Sequence, residues 1–132
     1  MSYCAGDTIL NWSCRPCGAL SEYQLFNLTI GLTPDGIEVK VVFLISEAKK
    51  RAVVSFEGTH DPKQLFNEIT QFDGVPYTIH SVSNDVKVMK YFYQTYTTTL
   101  MEPVRTNLAS MGEGFGKYQL IFTGHSLGGA LA

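Results

Sequence analysis

The most constraining stretch of this sequence is its end, Tyr118 to Ala132, which reads YQLIFTGHSLGGALA. Tyr118 to Thr123 is a short apolar run rich in β-branched and aromatic residues, as in a buried strand. The small residues from Gly129 to Ala132 indicate the start of a helix. Between them, GHSLG at 124–128 matches G-x-S-x-G, the pattern of a serine on a sharp turn from strand to helix. The stretch therefore predicts an α/β fold with an exposed serine at a strand end.

The chemistry of such a turn accounts for the residue types around Ser126. The serine takes a strained backbone conformation that lifts its hydroxyl clear of the sheet. A Cβ two positions before or after it would clash, which explains glycine at 124 and 128. The helix that follows directs N–H groups and its positive dipole end toward the place where an acyl-transfer oxyanion forms. A plain glycine-containing turn is the alternative, but the strand and helix on either side favour Ser126 as a nucleophile and Gly124 and Gly128 as elbow glycines.

Length and charge limit the other classes of function. With 132 residues the chain offers at most one domain. Its net charge of −2 and lack of a basic cluster argue against a nucleic-acid partner. The longest apolar run, Val41 to Ile45, has the length of a strand and predicts no transmembrane segment. Nothing in the sequence indicates a cofactor.

The cysteines are concentrated at the start of the chain, at positions 4, 14 and 17. Cys14-Arg15-Pro16-Cys17 is open to three interpretations: a local disulfide, half of a zinc site, or a redox pair. Zinc needs four ligands, and no second Cys/His pair sits at ligand spacing. A redox pair usually opens a helix after a strand, and that context is missing here. A structural disulfide between Cys14 and Cys17 fits best, and we predict no metal site. Cys4 is then the odd cysteine, which in a secreted protein implies a partner outside this chain.

Two N-glycosylation sequons, at 11–13 and 27–29, indicate an exported protein, as the cysteines do. No signal peptide is visible at the start of the sequence. We therefore expect a secreted, extracellular protein whose leader has been removed or lies outside this sequence.

The rest of the chain predicts strands and helices in alternation. Strands are expected at Tyr23–Ile30, Ile37–Ile45 and Ala52–Phe56, the last two forming an antiparallel hairpin. A short amphipathic helix is expected at 61–69, with Leu65, Phe66 and Ile69 on one face.

A long helix is expected from Asp85, with apolar residues every three or four positions to Met111. Pro103 should kink or split it near Glu102, and a loop from Gly112 to Gly116 should end it. This helix would connect 52–56 to 118–123 as a right-handed crossover between parallel strands.

Taken together, these motifs resemble the class 3, or fungal-type, lipase family. The resemblance spans nearly the whole chain and rests on four segments: Tyr3-Cys4, Trp12-x-Cys14-x-x-Cys17, Val53-x-x-Phe56-x-Gly58-Thr59 and Gly124 to Ala132. It implies an α/β-hydrolase fold, with a mixed, mostly parallel sheet and crossover helices. Residues 1–132 would be the N-terminal portion of one such domain, truncated after the nucleophile elbow.

The resemblance also implies an activity and a set of site residues. The chain would be a serine esterase or triacylglycerol lipase-type hydrolase that acts on carboxylic ester bonds of lipids through an acyl-enzyme on Ser126. Thr59 and Leu127 would supply the oxyanion-hole N–H groups. The helix at 61–69 falls where the family has its lid, although packing against the sheet explains its apolar face equally well. A lipid or other ester, met at a lipid–water interface, would be the partner, and Cys4 would pair with a cysteine near the family's C-terminus.

Two features depart from the family. Glu57 stands before Gly58-Thr59 where the family usually has Arg, and this reversal of charge should alter how the loop is held. The triad order in this fold is Ser, then Asp or Glu, then His. Only six residues follow Ser126, and none is acidic or histidine. We therefore expect the acid and the base to lie outside this sequence, and a non-catalytic homologue that binds lipids or a partner is the alternative.

Overall fold

The protein is described here by a computed structural model that covers residues 4–58, 73–78 and 85–132, apart from the side chain of Phe115. Its elements in chain order are helix α1 (Gly6–Leu10), a 3-10 helix (Arg15–Leu20), strands β1 (Gln24–Leu32), β2 (Glu38–Ser46), β3 (Arg51–Phe56), β4 (Gly74–Pro76) and β5 (Lys87–Met89), helix α2 (Lys90–Thr95), a π-helix (Tyr96–Leu100), helix α3 (Met101–Phe115), strand β6 (Gln119–Gly124) and helix α4 (Leu127–Leu131).

The main sheet has four strands in the order β1-β2-β3-β6. β1, β2 and β3 pair antiparallel, so the predicted hairpin is present. β3 and β6 pair parallel, with Val54 opposite Phe122, as the predicted crossover requires. β2 lies inside the sheet and is buried along nearly its whole length, which explains why its sequence is apolar on both faces. The sheet thus brings the ends of β3 and β6 to the same edge, where the candidate serine lies.

Alternate residues of β2 and β3 fill two cores, one on each face of the sheet. On one face Val41, Phe43 and Phe56 pack in a cluster with the π-helix, α3 and α4. On the other, Val42 and Leu44 pack against Ile9 of α1. A disulfide joins Cys14 to Cys17, with Cα atoms 5.2 Å apart, and so constrains the segment that follows α1.

The helix predicted from Asp85 begins later, and the prediction for its first turn is wrong. Lys87–Met89 is a strand, β5, which pairs antiparallel with Gly74–Pro76. Two further backbone bonds extend this ladder: the Tyr77 N–H donates to the Val86 carbonyl, and the Lys90 N–H to the Asp73 carbonyl, both at 2.9 Å. Pairing with Gly74–Pro76 satisfies the backbone N–H and C=O groups of this segment in an extended conformation. The local periodicity of apolar residues gives no information about such a partner. The helical run starts at Lys90.

The split predicted near Glu102 occurs just before it, as a π-helix from Tyr96 to Leu100. Pro103 has no N–H to donate to the carbonyl of Thr99, four residues earlier, and Thr99 lies within the wider turn of the π-helix. The predicted end of the helix is wrong, because α3 runs through Gly112 to Phe115. Among the described residues, no helix has the length and apolar character needed to cross a membrane.

Candidate active site

Ser126 lies between β6 and α4 with φ 57° and ψ −126°. It is one of the non-glycine residues with positive φ in the described chain, and its side chain is exposed. Such a conformation costs on the order of 1–3 kcal/mol and persists only where the surroundings impose it. The strained, exposed serine is therefore present as the sequence predicts.

The two glycines of the elbow are dictated by backbone contacts. A Cβ added to Gly124 would lie 2.1 Å from the Gly128 carbonyl oxygen. A Cβ on Gly128 would lie 2.3 Å from the Phe56 carbonyl oxygen and 2.8 Å from the carbonyl carbon of Glu57. These distances are far below any real Cβ contact, and the opposing atoms are backbone. The elbow therefore rests directly on the end of β3.

The hydroxyl of Ser126 is not used to cap α4. Ser126 occupies the N-cap position and makes no side-chain cap hydrogen bond, while its carbonyl accepts from the Gly129 N–H at 2.9 Å. The first N–H groups of a helix have no partner within it, and Leu127 contributes the first of them. Leu127 itself is held firmly, since its side chain is only 2% exposed. The turn thus presents a serine hydroxyl beside a helix start.

A buried ion pair lies under this elbow, where β3 ends. Glu57 is fully buried, and the Nζ of Lys40 donates to both of its carboxylate oxygens at 2.8 and 2.9 Å. The sequence showed that Glu57 departs from the family pattern, but it did not show that Glu57 pairs with Lys40. The available signal was a lone lysine in the apolar run of β2, and only the sheet register shows that the two residues are neighbours.

An apolar cavity of about 350 Å³ opens beside α4. Its walls come from β3 to β6 and the helices that pack on them: Phe56, Tyr77, Val88, Phe92, Tyr93, Tyr96, Val104, Leu108, Phe122, Ala130, Leu131 and Ala132. Burial raises the pKa of the Tyr96 phenol above its usual value. The periodicity of the apolar residues from Asp85 predicts a helix over this segment but not a cavity.

Several sequence-predicted residues fall outside the described ranges: Thr59, Leu65, Phe66 and Ile69. Their oxyanion and lid roles stay predictions. His125, beside Ser126 in the motif, is exposed. Cys4 is a free, half-exposed thiol. Within residues 4–58, 73–78 and 85–132, no three His, Cys, Asp or Glu side chains are grouped so as to hold a metal ion.

Comparison with solved structures identifies the fold. The triacylglyceride lipase of Rhizomucor miehei is 25% identical with a TM-score of 0.74, over 98% of this chain and 46% of that one. The same organism's lipase in complex with its propeptide gives 25% and 0.75, over 98% and 40%. Lipase II from Rhizopus niveus, at 21% identity and a TM-score of 0.80 over 99% and 47%, supports the fold alone. The protein has an α/β-hydrolase fold and spans less than half of each of these chains.

Comparison of the sequence with protein families shows which family the chain belongs to. No curated protein matches the chain significantly. The model of the family described as Lipase (class 3) matches residues 53–132, which is more than half of the chain and includes most of β3 and all of α3, β6 and the elbow. The protein is a member of the class 3 lipase family.

Proposed function

We propose that residues 1–132 are the N-terminal portion of a single lipase domain in which Ser126 is the nucleophile. One observation carries the proposal: an exposed serine is held at φ 57° on a strand-to-helix turn, between glycines that admit no Cβ. Such strain is retained at sites where it serves a function. Family membership over residues 53–132 supports the same reaction class.

The reaction is acyl transfer from a carboxylic ester. The Ser126 Oγ attacks the carbonyl carbon while its proton passes to a histidine base, and the alcohol then leaves with that proton. The Leu127 N–H, together with that of Thr59, stabilises the oxyanion. Water hydrolyses the acyl-enzyme and restores the serine. The chain spans less than half of the length of these solved lipases, and we propose that the acid and base lie in the part of the full-length enzyme that corresponds to the remainder.

The relatives support a substrate class, and the disulfide supports a location. The Rhizomucor miehei relatives include a triacylglyceride lipase, and we propose a lipid ester, met at a lipid–water interface, as the substrate here. We also propose that the enzyme is secreted. The Cys14–Cys17 disulfide supports export, because such bonds persist mainly in oxidising compartments.

Hydrolysis of an emulsified triacylglycerol and of a soluble short-chain ester by the full-length enzyme tests this proposal. Ser126→Ala should lower kcat on both by ~10⁴-fold or more, because the nucleophile is lost. Ser110→Ala is the matched control: Ser110 is exposed on α3, and its hydroxyl donates to the Thr106 carbonyl at 3.1 Å. It should leave kcat unchanged. Hydrolysis that survives Ser126→Ala would place the nucleophile elsewhere.

A non-catalytic lipid-binding role is the second candidate, and the apolar cavity of about 350 Å³ favours it. A full-length protein of that kind would bind a fluorescent fatty acid with equal affinity as wild type and as Ser126→Ala, and would hydrolyse neither ester. Hydrolysis by the wild type alone decides for the enzyme.

A further inference from the structure

Glu57 is a carboxylate buried in a place where a carboxylate is costly. The residue is 0% exposed and directly follows β3, one position before Gly58. Burial of an unpaired charge costs so much that such groups are paired or neutralised. The side chain must therefore be fixed by its partners.

One partner is Lys40 of β2, which engages Glu57 at four points. Its Nζ donates to both carboxylate oxygens at 2.8 and 2.9 Å, and its backbone N–H donates to Oε2 at 3.0 Å. In the other direction, the Glu57 backbone N–H donates to the Lys40 carbonyl at 2.8 Å. Main-chain and side-chain hydrogen bonds thus both join Glu57 to Lys40. They extend the β2–β3 pairing one position past its last register pair, Val41 with Phe56.

The backbone held in this way is the surface on which the elbow rests. The Phe56 carbonyl oxygen and the Glu57 carbonyl group face Gly128 so closely that no Cβ fits between them. Gly128 is the second residue of α4, and Leu127, the proposed oxyanion donor, is the first. A displacement of residues 56–57 is therefore transmitted by direct contact to the turn that carries Ser126.

Stability alone does not account for this pair. Replacing a buried ion pair by apolar residues of similar size is often neutral or stabilising. The arrangement does, however, fix a single backbone position, because the carboxylate accepts from the main-chain N–H of Lys40 as well as from its side chain.

We propose that Glu57 is a positioning residue for catalysis: anchored on Lys40, it fixes the main chain at 56–58 and through Gly128 sets the geometry of the Ser126–Leu127 turn. The proposal rests on the proposed lipase function. Misplacement of a catalytic group by about 1 Å can cost on the order of 10²-fold in rate. Loss of the anchor should therefore lower kcat rather than weaken substrate binding.

The test measures kcat and KM for a soluble short-chain ester in the full-length enzyme, with active sites titrated by a fluorophosphonate so that kcat refers to intact molecules only. Glu57→Gln should lower kcat per titrated site about 10- to 100-fold and leave KM within about threefold. Val42→Ala is the control: Val42 is fully buried in the cluster on the opposite face, away from the elbow. It should lower the melting temperature without changing kcat per titrated site.

A double variant, Lys40→Met with Glu57→Met, separates positioning from charge burial. It removes both charges and keeps the side-chain volume, so folding should survive while the carboxylate anchor on the Lys40 N–H is lost. A kcat as low as that of Glu57→Gln, at a wild-type melting temperature, supports the proposal. Recovery of wild-type kcat would overturn it and leave the pair a stability feature. Absence of titration in the wild-type enzyme would instead refute the proposed function.

Discussion

Ser126 holds a backbone conformation that favours glycine, and the strain has a measurable consequence. At φ 57° and ψ −126°, the Cβ of Ser126 is the source of the cost. Ser126→Gly in the full-length protein should therefore raise the free energy of unfolding by about 1 kcal/mol, although it removes the proposed nucleophile. Ser126→Ala keeps the Cβ and should leave stability near wild type. Chemical denaturation of the two variants checks this, and equal stabilities would show that the turn is not strained.

Substitution of an elbow glycine should lower the stability, whereas Ser126→Gly should raise it. Gly128→Ala forces a Cβ to within 2.3 Å of the Phe56 carbonyl oxygen, which is backbone and cannot yield cheaply. We expect a loss of about 1–3 kcal/mol, the usual cost of overpacking, or more. Gly112→Ala is the matched control, because nothing lies within 4 Å of its Cβ and it sits within helix α3. It should stabilise by about 0.4–1 kcal/mol. The denaturant concentrations at the unfolding midpoint measure the stability of both variants. A Gly128→Ala variant as stable as wild type would contradict the close packing.

At the scale of elements, β1 and the π-helix approach each other at Gly31. A Cβ there would meet the Thr99 methyl carbon at 2.3 Å, while the Thr99 hydroxyl donates to the Leu32 carbonyl at 2.8 Å. Gly31→Ala should destabilise by about 1–3 kcal/mol. Adding Thr99→Ser removes the methyl group and keeps the hydroxyl, so the double variant should recover part of the loss. A double-mutant cycle measures this coupling, and strictly additive effects would show that the two elements do not meet there.

The elements that the sequence predicted correctly are those whose signal is local. β2 and β3 are apolar runs with a polar turn between them, and the elbow has a fixed spacing, so each could be recognised alone. β5 was missed because its strand character depends on pairing with Gly74–Pro76, far from it in sequence. The end of α3 was misplaced because Gly112 and Gly114 are tolerated inside a helix. The Lys40–Glu57 pair could not be predicted without the register of β2 against β3.

Across the sheet, apolar side chains are left open at the β6 edge. In the described chain β6 is an edge strand, and Leu120 and Phe122 on it are 46% and 43% exposed. An edge of this kind pairs readily with other chains. Residues 1–132 expressed alone should therefore self-associate, with a broad thermal transition. Sedimentation velocity and near-ultraviolet circular dichroism test this, and a monomer with a sharp melt would show that the chain is a self-sufficient domain.

Mapping of a covalent adduct is the direct test of our proposal that Ser126 is the nucleophile of a class 3 lipase. The full-length protein would be treated with a fluorophosphonate, digested with trypsin and analysed by mass spectrometry. Cleavage after Lys117 releases a peptide that begins at Tyr118 and contains Ser126 as its only serine up to Ala132. We expect one adduct per chain, on Ser126, and none in Ser126→Ala. An adduct on any other residue, or labelling that persists in Ser126→Ala, would contradict it.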